Sequence, residues 1–174
     1  MIKLKRTKLI TVSAMLTALG TIILAAASFF DVADITISMV ASALIVFSVI
    51  ELGTKASFMI YAATSTLSLI LLPRKYIALI YIVFCGLYPI IKFRIDSLPK
   101  WLAVIVKLLY FNISLTVAVL AARFVFDTAI YQKWMLVGYY ALANVAFVLF
   151  DLLIKKGTDV YFVKFRDKVK RLLR

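Results

Sequence analysis

Ionisable side chains inside apolar segments are the residues of this 174-residue chain best placed to do chemistry. Lys107 lies six residues into one apolar run, and Asp151 lies near the end of the next run. A charge near the centre of a bilayer costs roughly 3 kcal/mol unless it is paired or hydrated. Antiparallel neighbouring helices bring the two side chains to similar depth, so we predict a Lys107–Asp151 ion pair. The alternative is that each side chain reaches the headgroups separately.

Polar residues of the same two runs form a second set, which indicates solute binding. Tyr140, Asn144 and Asp151 recur at spacings of 4 and 7 and therefore share one face of a helix. With Arg123 near the outer end of the preceding run, they are suited to line a cavity that opens outward. The alternative is structural, because Asn, Ser and Thr hydrogen-bond between membrane helices, while Tyr and Trp134 mark the membrane interface.

The sequence lacks the residue patterns of common enzyme active sites. It has no histidine, and therefore lacks the commonest general base and metal ligand. Its single cysteine, Cys85, cannot form an intramolecular disulfide. The eight acidic residues are scattered, and no glycine-rich phosphate loop is present. We therefore predict no enzymatic activity, no cofactor and no metal site.

Six apolar runs must position these residues. Hydrophobic residues make up 65% of the chain and its mean hydropathy is +1.06, well above the values of soluble domains. As a helix, each run is about long enough to cross the hydrocarbon core of a bilayer. None of the runs alternates apolar and polar residues as a strand of a membrane β-barrel does. We predict an all-α integral membrane protein, a compact bundle of six transmembrane helices with a kink near Gly86 and Pro89. The runs are 8–30, 34–53, 55–73, 76–93, 101–126 and 131–154. The first run is longer than the apolar region of a signal peptide.

The positions of lysine and arginine predict the orientation of the bundle. A net charge of +13 suggests nucleic acid in a soluble protein, but here the cations cluster in alternate gaps between runs. In or beside the remaining gaps lie only Arg74, Lys75, Arg123 and Lys133. Both termini are therefore predicted to be cytoplasmic, no nucleic-acid partner is expected, and we place the chain in a bacterial plasma membrane as a multi-pass protein.

The basic C-terminal tail forms a separate predicted segment. Beyond Gly157, apolar residues recur every three or four positions among lysines and arginines. This pattern is typical of a basic amphipathic helix that lies on anionic lipids of the inner leaflet. The alternative is docking to an acidic cytoplasmic partner. We divide the chain into a transmembrane domain, 1–156, and a cytoplasmic tail, 157–174.

The first run contains a pair of small residues, Ala14 and Ala18, just after a basic N-terminus. Small residues at this spacing let another helix approach closely, either within the bundle or in a partner. Together with six short helices in fewer than 200 residues and two cytoplasmic termini, this pair resembles the substrate-binding S-component of energy-coupling factor (ECF) transporters.

The resemblance implies a function and a set of partners. An S-component captures a vitamin, a related micronutrient or a metal ion from outside, and its alanine motif contacts a transmembrane T-component that works with two cytoplasmic ATPases. By this resemblance Ala14 and Ala18 form the coupling surface. The implied solute-binding residues are Tyr81, Arg123, Trp134, Tyr139, Tyr140 and Asn144.

Some features depart from the family pattern. The gap from Asp31 to Asp34 is shorter than the connection that often covers the substrate in S-components. The absence of histidine disfavours nickel or cobalt as the solute, and the cations of the outer gaps favour an anionic one. The alternative function is a non-transporting membrane scaffold or regulatory subunit that packs against a partner membrane protein.

Overall fold

The computed structural model describes residues 6–29, 34–126 and 133–166. This part of the chain is helical and contains no β-strand, which confirms the predicted all-α class. Five of the six helices end within a few residues of the predicted bounds, whereas the sixth is longer. They are α1 Arg6–Ala27, α2 Asp34–Glu51, α3 Thr54–Leu71, α4 Lys75–Ile95, α5 Lys100–Phe126 and α6, which joins Lys133–Val160 to Tyr161–Phe165.

Four of these helices contain segments long and apolar enough to cross a membrane, as expected of a membrane protein. The apolar stretch of α2, Ile35–Glu51, is shorter than these four segments. In α3 the apolar residues are diluted by buried hydroxyl side chains such as Ser57, Thr64 and Ser68. The four segments are Arg6–Ala27, Lys75–Ile95, Lys100–Leu120 and Val137–Lys164.

Two hydrophobic clusters hold the bundle together, and α2 and α4 contribute to both. The first cluster joins them to α1 and α3 around Leu24 and Ile60. The second joins them to α5 and α6 around Tyr88 and Phe147. Helix α4 therefore lies between the first three helices and the α5–α6 pair. Much of α5 and α6 faces outward, including Leu142, as expected of helices surrounded by lipid.

The small residues of α1 divide between two faces. Thr17 and Gly20 are buried, and a Cβ atom added to Gly20 would lie 3.2 Å from the Thr64 Cγ2 atom of α3. Ala14 and Ala18 are exposed on the surface of the bundle. Part of the small surface thus packs inside the chain, while the Ala14–Ala18 pair remains available to another molecule.

Helix α4 contains a π-helical turn over Tyr81–Cys85. The Gly86 N–H donates to the Tyr81 carbonyl, five residues back, at 2.7 Å. Pro89 follows at once and has no N–H to donate to the Cys85 carbonyl four residues earlier. The irregularity expected near Gly86 and Pro89 therefore takes the form of a π turn, a known cause of helix kinks.

Two tyrosines from neighbouring helices bind this π turn. The Tyr61 hydroxyl of α3 donates to the Ile82 carbonyl at 2.9 Å, and the Tyr110 hydroxyl of α5 donates to the Val83 carbonyl at 3.1 Å. Backbone carbonyls displaced from regular helical bonding need such partners in a membrane interior. The turn is thus fixed from both sides.

Helix α6 continues through Gly157, where the sequence analysis places the start of a separate tail. Its extension is attached to α2: the Tyr161 hydroxyl donates to Glu51 Oε1 at 2.9 Å, and Arg166 Nε lies 3.9 Å from the same atom. Glu51 is fully buried. Residues 167–174 of the predicted tail lie outside the described residues.

Candidate functional site

A partly enclosed cavity of about 530 Å³ lies among α2, α4, α5 and α6. It is lined by the first half of α4 and the second half of α5. Because Asp96 lies in the connection between the end of α4 and the start of α5, the cavity is far from that end of the bundle. We call it the main cavity. Among the residues with described side chains, those that line it are apolar apart from Tyr76 and Ser114. Cavities of this size hold drug-sized molecules.

Three phenylalanines form the floor of the main cavity. Phe111 and Phe147 stack with ring centroids 4.5 Å apart and an interplanar angle of 7°. Phe84 meets both rings edge-on, at 5.2 and 5.8 Å. Below the floor, Tyr88 packs against Phe147 with centroids 5.1 Å apart. A ring-shaped apolar ligand would therefore rest on aromatic surfaces, a geometry that strengthens contact beyond area burial alone.

Beneath this floor, four charged residues form a ring that we call the ionic cluster. Lys107 Nζ lies 3.2 Å from Asp151 Oδ2 and 2.5 Å from Asp96 Oδ1. Lys92 closes the ring by contacting Asp151 and, at 3.5 Å, Asp96 Oδ2. The Tyr88 hydroxyl also donates to Asp151. The structure therefore brings together Lys107 and Asp151, the pair suggested by the sequence, within a larger set.

The ionic cluster is electrically balanced, with two lysines and two aspartates. The Lys92 side chain is only 5% exposed and that of Lys107 12%, whereas Asp96 is 45% exposed. Buried charges persist in apolar surroundings when each is paired and hydrogen-bonded. Because its members come from α4, α5 and α6 and the segment after α4, the cluster fixes these helices relative to one another.

Three members of this set were missed by the sequence analysis: Tyr88, Lys92 and Asp96. Their spacing of four residues carried a usable signal, since residues at i, i+4 and i+8 share one helical face. Lys92 lies near the end of the fourth predicted run, 76–93, beside the cations of the following gap. A charged face at the end of a membrane helix resembles a loop when only the sequence is considered.

The polar stripe of α6 pairs with α5 beyond the ionic cluster. Asn112 and Asn144 exchange two side-chain hydrogen bonds of 3.1 and 3.2 Å. Further along, the hydroxyls of Thr116 and Tyr140 lie 3.0 Å apart. These hydrogen bonds join packed helices, which is the role that the sequence analysis gave as the alternative to solute binding.

The four implied solute ligands whose side chains the structure describes do not line the main cavity. Tyr81 is buried in the core beside Tyr61, and Tyr139 is 62% exposed on the outer surface of α6. Tyr140 and Asn144 point to α5, as described above. Among the residues with described side chains, the cavity is lined by other, mostly apolar residues of the same helices. The side chains of Arg123 and Trp134 lie outside the described residues.

Lys75, a cation of the outer gaps, has a structural partner. Lys75 Nζ donates to the carbonyls of Leu69 and Ile70, at 2.5 and 3.2 Å, and so caps the end of α3. A cation there also interacts favourably with the helix dipole. Among the described residues, no cation lines the main cavity, and the side chains of Arg123 and Lys133 lie outside the described residues.

We expect the Asn112–Asn144 contact to contribute modestly to stability. In a double-mutant cycle of Asn112→Leu and Asn144→Leu, the coupling free energy should be about 0.6 kcal/mol, the average for such bonds in membrane proteins. Unfolding of the purified protein in detergent, titrated with dodecyl sulfate, gives the four values needed. Additive single-variant effects would show that the two amides do not stabilise each other.

Comparisons with protein-family models, with curated proteins and with solved structures found no significant match. In its described part, the chain is all-helical, and four of its helices are long and apolar enough to cross a membrane. This part also contains a mostly apolar cavity and an ionic cluster of balanced charge. In the described part of the chain, no group of three His, Cys, Asp or Glu residues is placed to hold a metal ion.

Proposed function

We propose that this protein is the membrane-embedded solute-binding subunit of a transporter, which captures a vitamin-like micronutrient from outside. The main cavity is the observation that carries this proposal. It has the volume of a small-molecule site, and it lies away from the end of the bundle that the charge pattern assigns to the cytoplasm. In this proposal all six helices cross the membrane and both termini are cytoplasmic.

The lining of the cavity indicates the class of solute. Two polar side chains, Tyr76 and Ser114, stand among apolar and aromatic ones. A neutral, mostly apolar molecule with a ring fits this lining, because burial of a charge without a partner would cost several kcal/mol. The stacked Phe111 and Phe147 rings offer a flat surface for such a ring.

Uptake requires energy that the chain itself does not supply. We propose that a transmembrane T-component and two cytoplasmic ATPases provide it, as in the S-component family that the topology resembles. The exposed Ala14 and Ala18 would be the surface that couples to the T-component, because their small side chains permit close helix contact.

A cavity-filling variant tests the solute site. Ala143 lines the main cavity, so Ala143→Phe should fill it, whereas Ala141→Phe places the same ring on an exposed position of the same helix. We expect the protein purified from its native host to retain a small molecule detectable by native mass spectrometry. Ala143→Phe should lower the retained fraction at least tenfold, and Ala141→Phe should leave it unchanged.

The same measurement identifies partners. Recovery of the unsubstituted chain with a membrane subunit and two ATPases would support the transporter proposal. Recovery without a small molecule, or equal retention by both variants, would contradict a solute site in the main cavity.

A second function, a membrane scaffold or regulatory subunit, is favoured by the polar contacts between α5 and α6. Asn112, Asn144, Thr116 and Tyr140 bond to one another and leave the main cavity to apolar residues. In that case the exposed Ala14–Ala18 face binds a membrane protein unrelated to transport. Co-purification of such a protein with an empty cavity would favour this function.

A further inference from the structure

A second concavity runs between α2 and α6 on the outside of the bundle, with a volume of about 490 Å³. We call it the α2–α6 groove. Ala43, Val46 and Ile50 line it from α2, while Leu153, Gly157 and Tyr161 line it from α6. Along α6 it reaches from Phe150 to Tyr161, about 16 Å at 1.5 Å per residue. One leaflet of a bilayer core is about 15 Å thick, so the groove has the length of a lipid acyl chain.

The lining of the groove suits a hydrocarbon chain. Among its described lining residues, the polar ones are the hydroxyl-bearing Thr36, Thr158 and Tyr161, and the rest are apolar. Gly157 leaves open space on the α6 side, since an added Cβ atom would meet no atom within 4 Å. The groove is therefore a shallow channel with room that the chain's own side chains do not fill.

Positive charge surrounds one end of the groove. Exposed lysines lie on α6 near this end: Lys164 is about one turn beyond Tyr161, and Lys155 and Lys156 are within about two turns before it. The negative charge of buried Glu51 faces Arg166 within the protein. Asp159 is the acidic residue of α6 between Lys155 and Arg166. The net positive charge matches an anionic headgroup at the membrane surface, where each nearby cation contributes about 1 kcal/mol.

From these observations we propose that the α2–α6 groove binds an anionic phospholipid. One acyl chain lies between α2 and α6 against Gly157, and the phosphate lies beyond Tyr161 near Lys164. This site adjoins the main cavity, since Met39 lines both, but its existence does not depend on solute transport.

Lipid titration of the delipidated protein in detergent, followed by native mass spectrometry, tests the site. Dioleoyl phosphatidylglycerol and dioleoyl phosphatidylcholine share their acyl chains and differ in headgroup charge. We expect the full chain to bind phosphatidylglycerol at least fivefold more tightly than phosphatidylcholine. Gly157→Leu fills the groove and should weaken phosphatidylglycerol binding about tenfold.

Gly138→Leu is the matched control, because Gly138 lies on the same helix, also faces open space and is away from the groove. It should bind both lipids like the unsubstituted chain. Ala43→Phe fills the groove from α2 and decides the test if Gly157→Leu does not fold. Binding by both groove variants at the original affinity would overturn the groove as the site.

The headgroup position is tested separately by Lys164→Gln. We expect this variant to lose at least half of the preference for phosphatidylglycerol while its affinity for phosphatidylcholine stays unchanged. An undiminished preference would overturn the placement of the phosphate near Lys164. Equal binding of the two lipids by the unsubstituted chain would overturn the anionic specificity itself.

Discussion

Replacement of Asp151 by Asn should lower the free energy of unfolding by about 3 kcal/mol, the largest effect we expect from a single substitution. Asp151 contacts Lys92 and Lys107 and accepts a hydrogen bond from Tyr88. Without its charge, two buried lysines share the half-exposed carboxylate of Asp96. An uncompensated buried cation is far more costly than an absent pair. Dodecyl sulfate titration of the purified protein measures the loss.

Two further variants show whether charge balance is the cause. Asp159→Asn removes a carboxylate from an exposed position on the same helix and should change stability by less than about 0.5 kcal/mol. The double variant Lys92→Met, Asp151→Leu removes one charge of each sign and should recover much of the lost stability. If Asp151→Asn unfolds at the same point as the unsubstituted protein, the ionic cluster does not stabilise the fold.

Gly86→Ala should destabilise the protein by about 2 kcal/mol, because the site has no room for a side chain. A Cβ atom at this position would lie 2.7 and 2.9 Å from ring atoms of Tyr61 and 2.9 Å from the Tyr81 ring. The Tyr61 ring cannot simply swing away, since its hydroxyl donates to the Ile82 carbonyl. Thermal unfolding in detergent, monitored by circular dichroism, measures the effect.

Gly138→Ala provides the matched control for this prediction. Gly138 also lies in a membrane-type helix, but an added Cβ atom there would meet nothing within 4 Å. Its substitution should be neutral or slightly stabilising, because alanine has the higher helix propensity. Equal melting temperatures of the two variants would show that the contact of Tyr61 with Gly86 is easily relieved.

The helices could be predicted from the sequence because a membrane helix is encoded locally. Apolar runs of the right length ended close to the observed bounds of α1 to α5. The end of α6 was harder, since its extension past Gly157 is attached to Glu51 through Tyr161, a partner 110 residues away. No local pattern distinguishes such an extension from a separate amphipathic tail.

The functional features depend more strongly on tertiary structure. Lys107 and Asp151 were recognisable because charges are rare in apolar runs. The main cavity was not recognisable, because Phe84, Phe111 and Phe147 have the same character as lipid-facing residues. Only the packing of α4 against α5 and α6 makes them a floor. The π turn likewise becomes interpretable once the tyrosines that bind its carbonyls are known.

The alternating charges of the ionic cluster also impose an order on biosynthesis. Chains emerge from the ribosome N-terminus first, so Lys92, Asp96 and Lys107 are made before Asp151, which follows Lys107 by 44 residues. Until then, the hairpin of α4 and α5 holds two cations against one carboxylate. The newly made α6 therefore meets a helical hairpin that attracts it, and the charges of the ionic cluster balance only when α6 is in place.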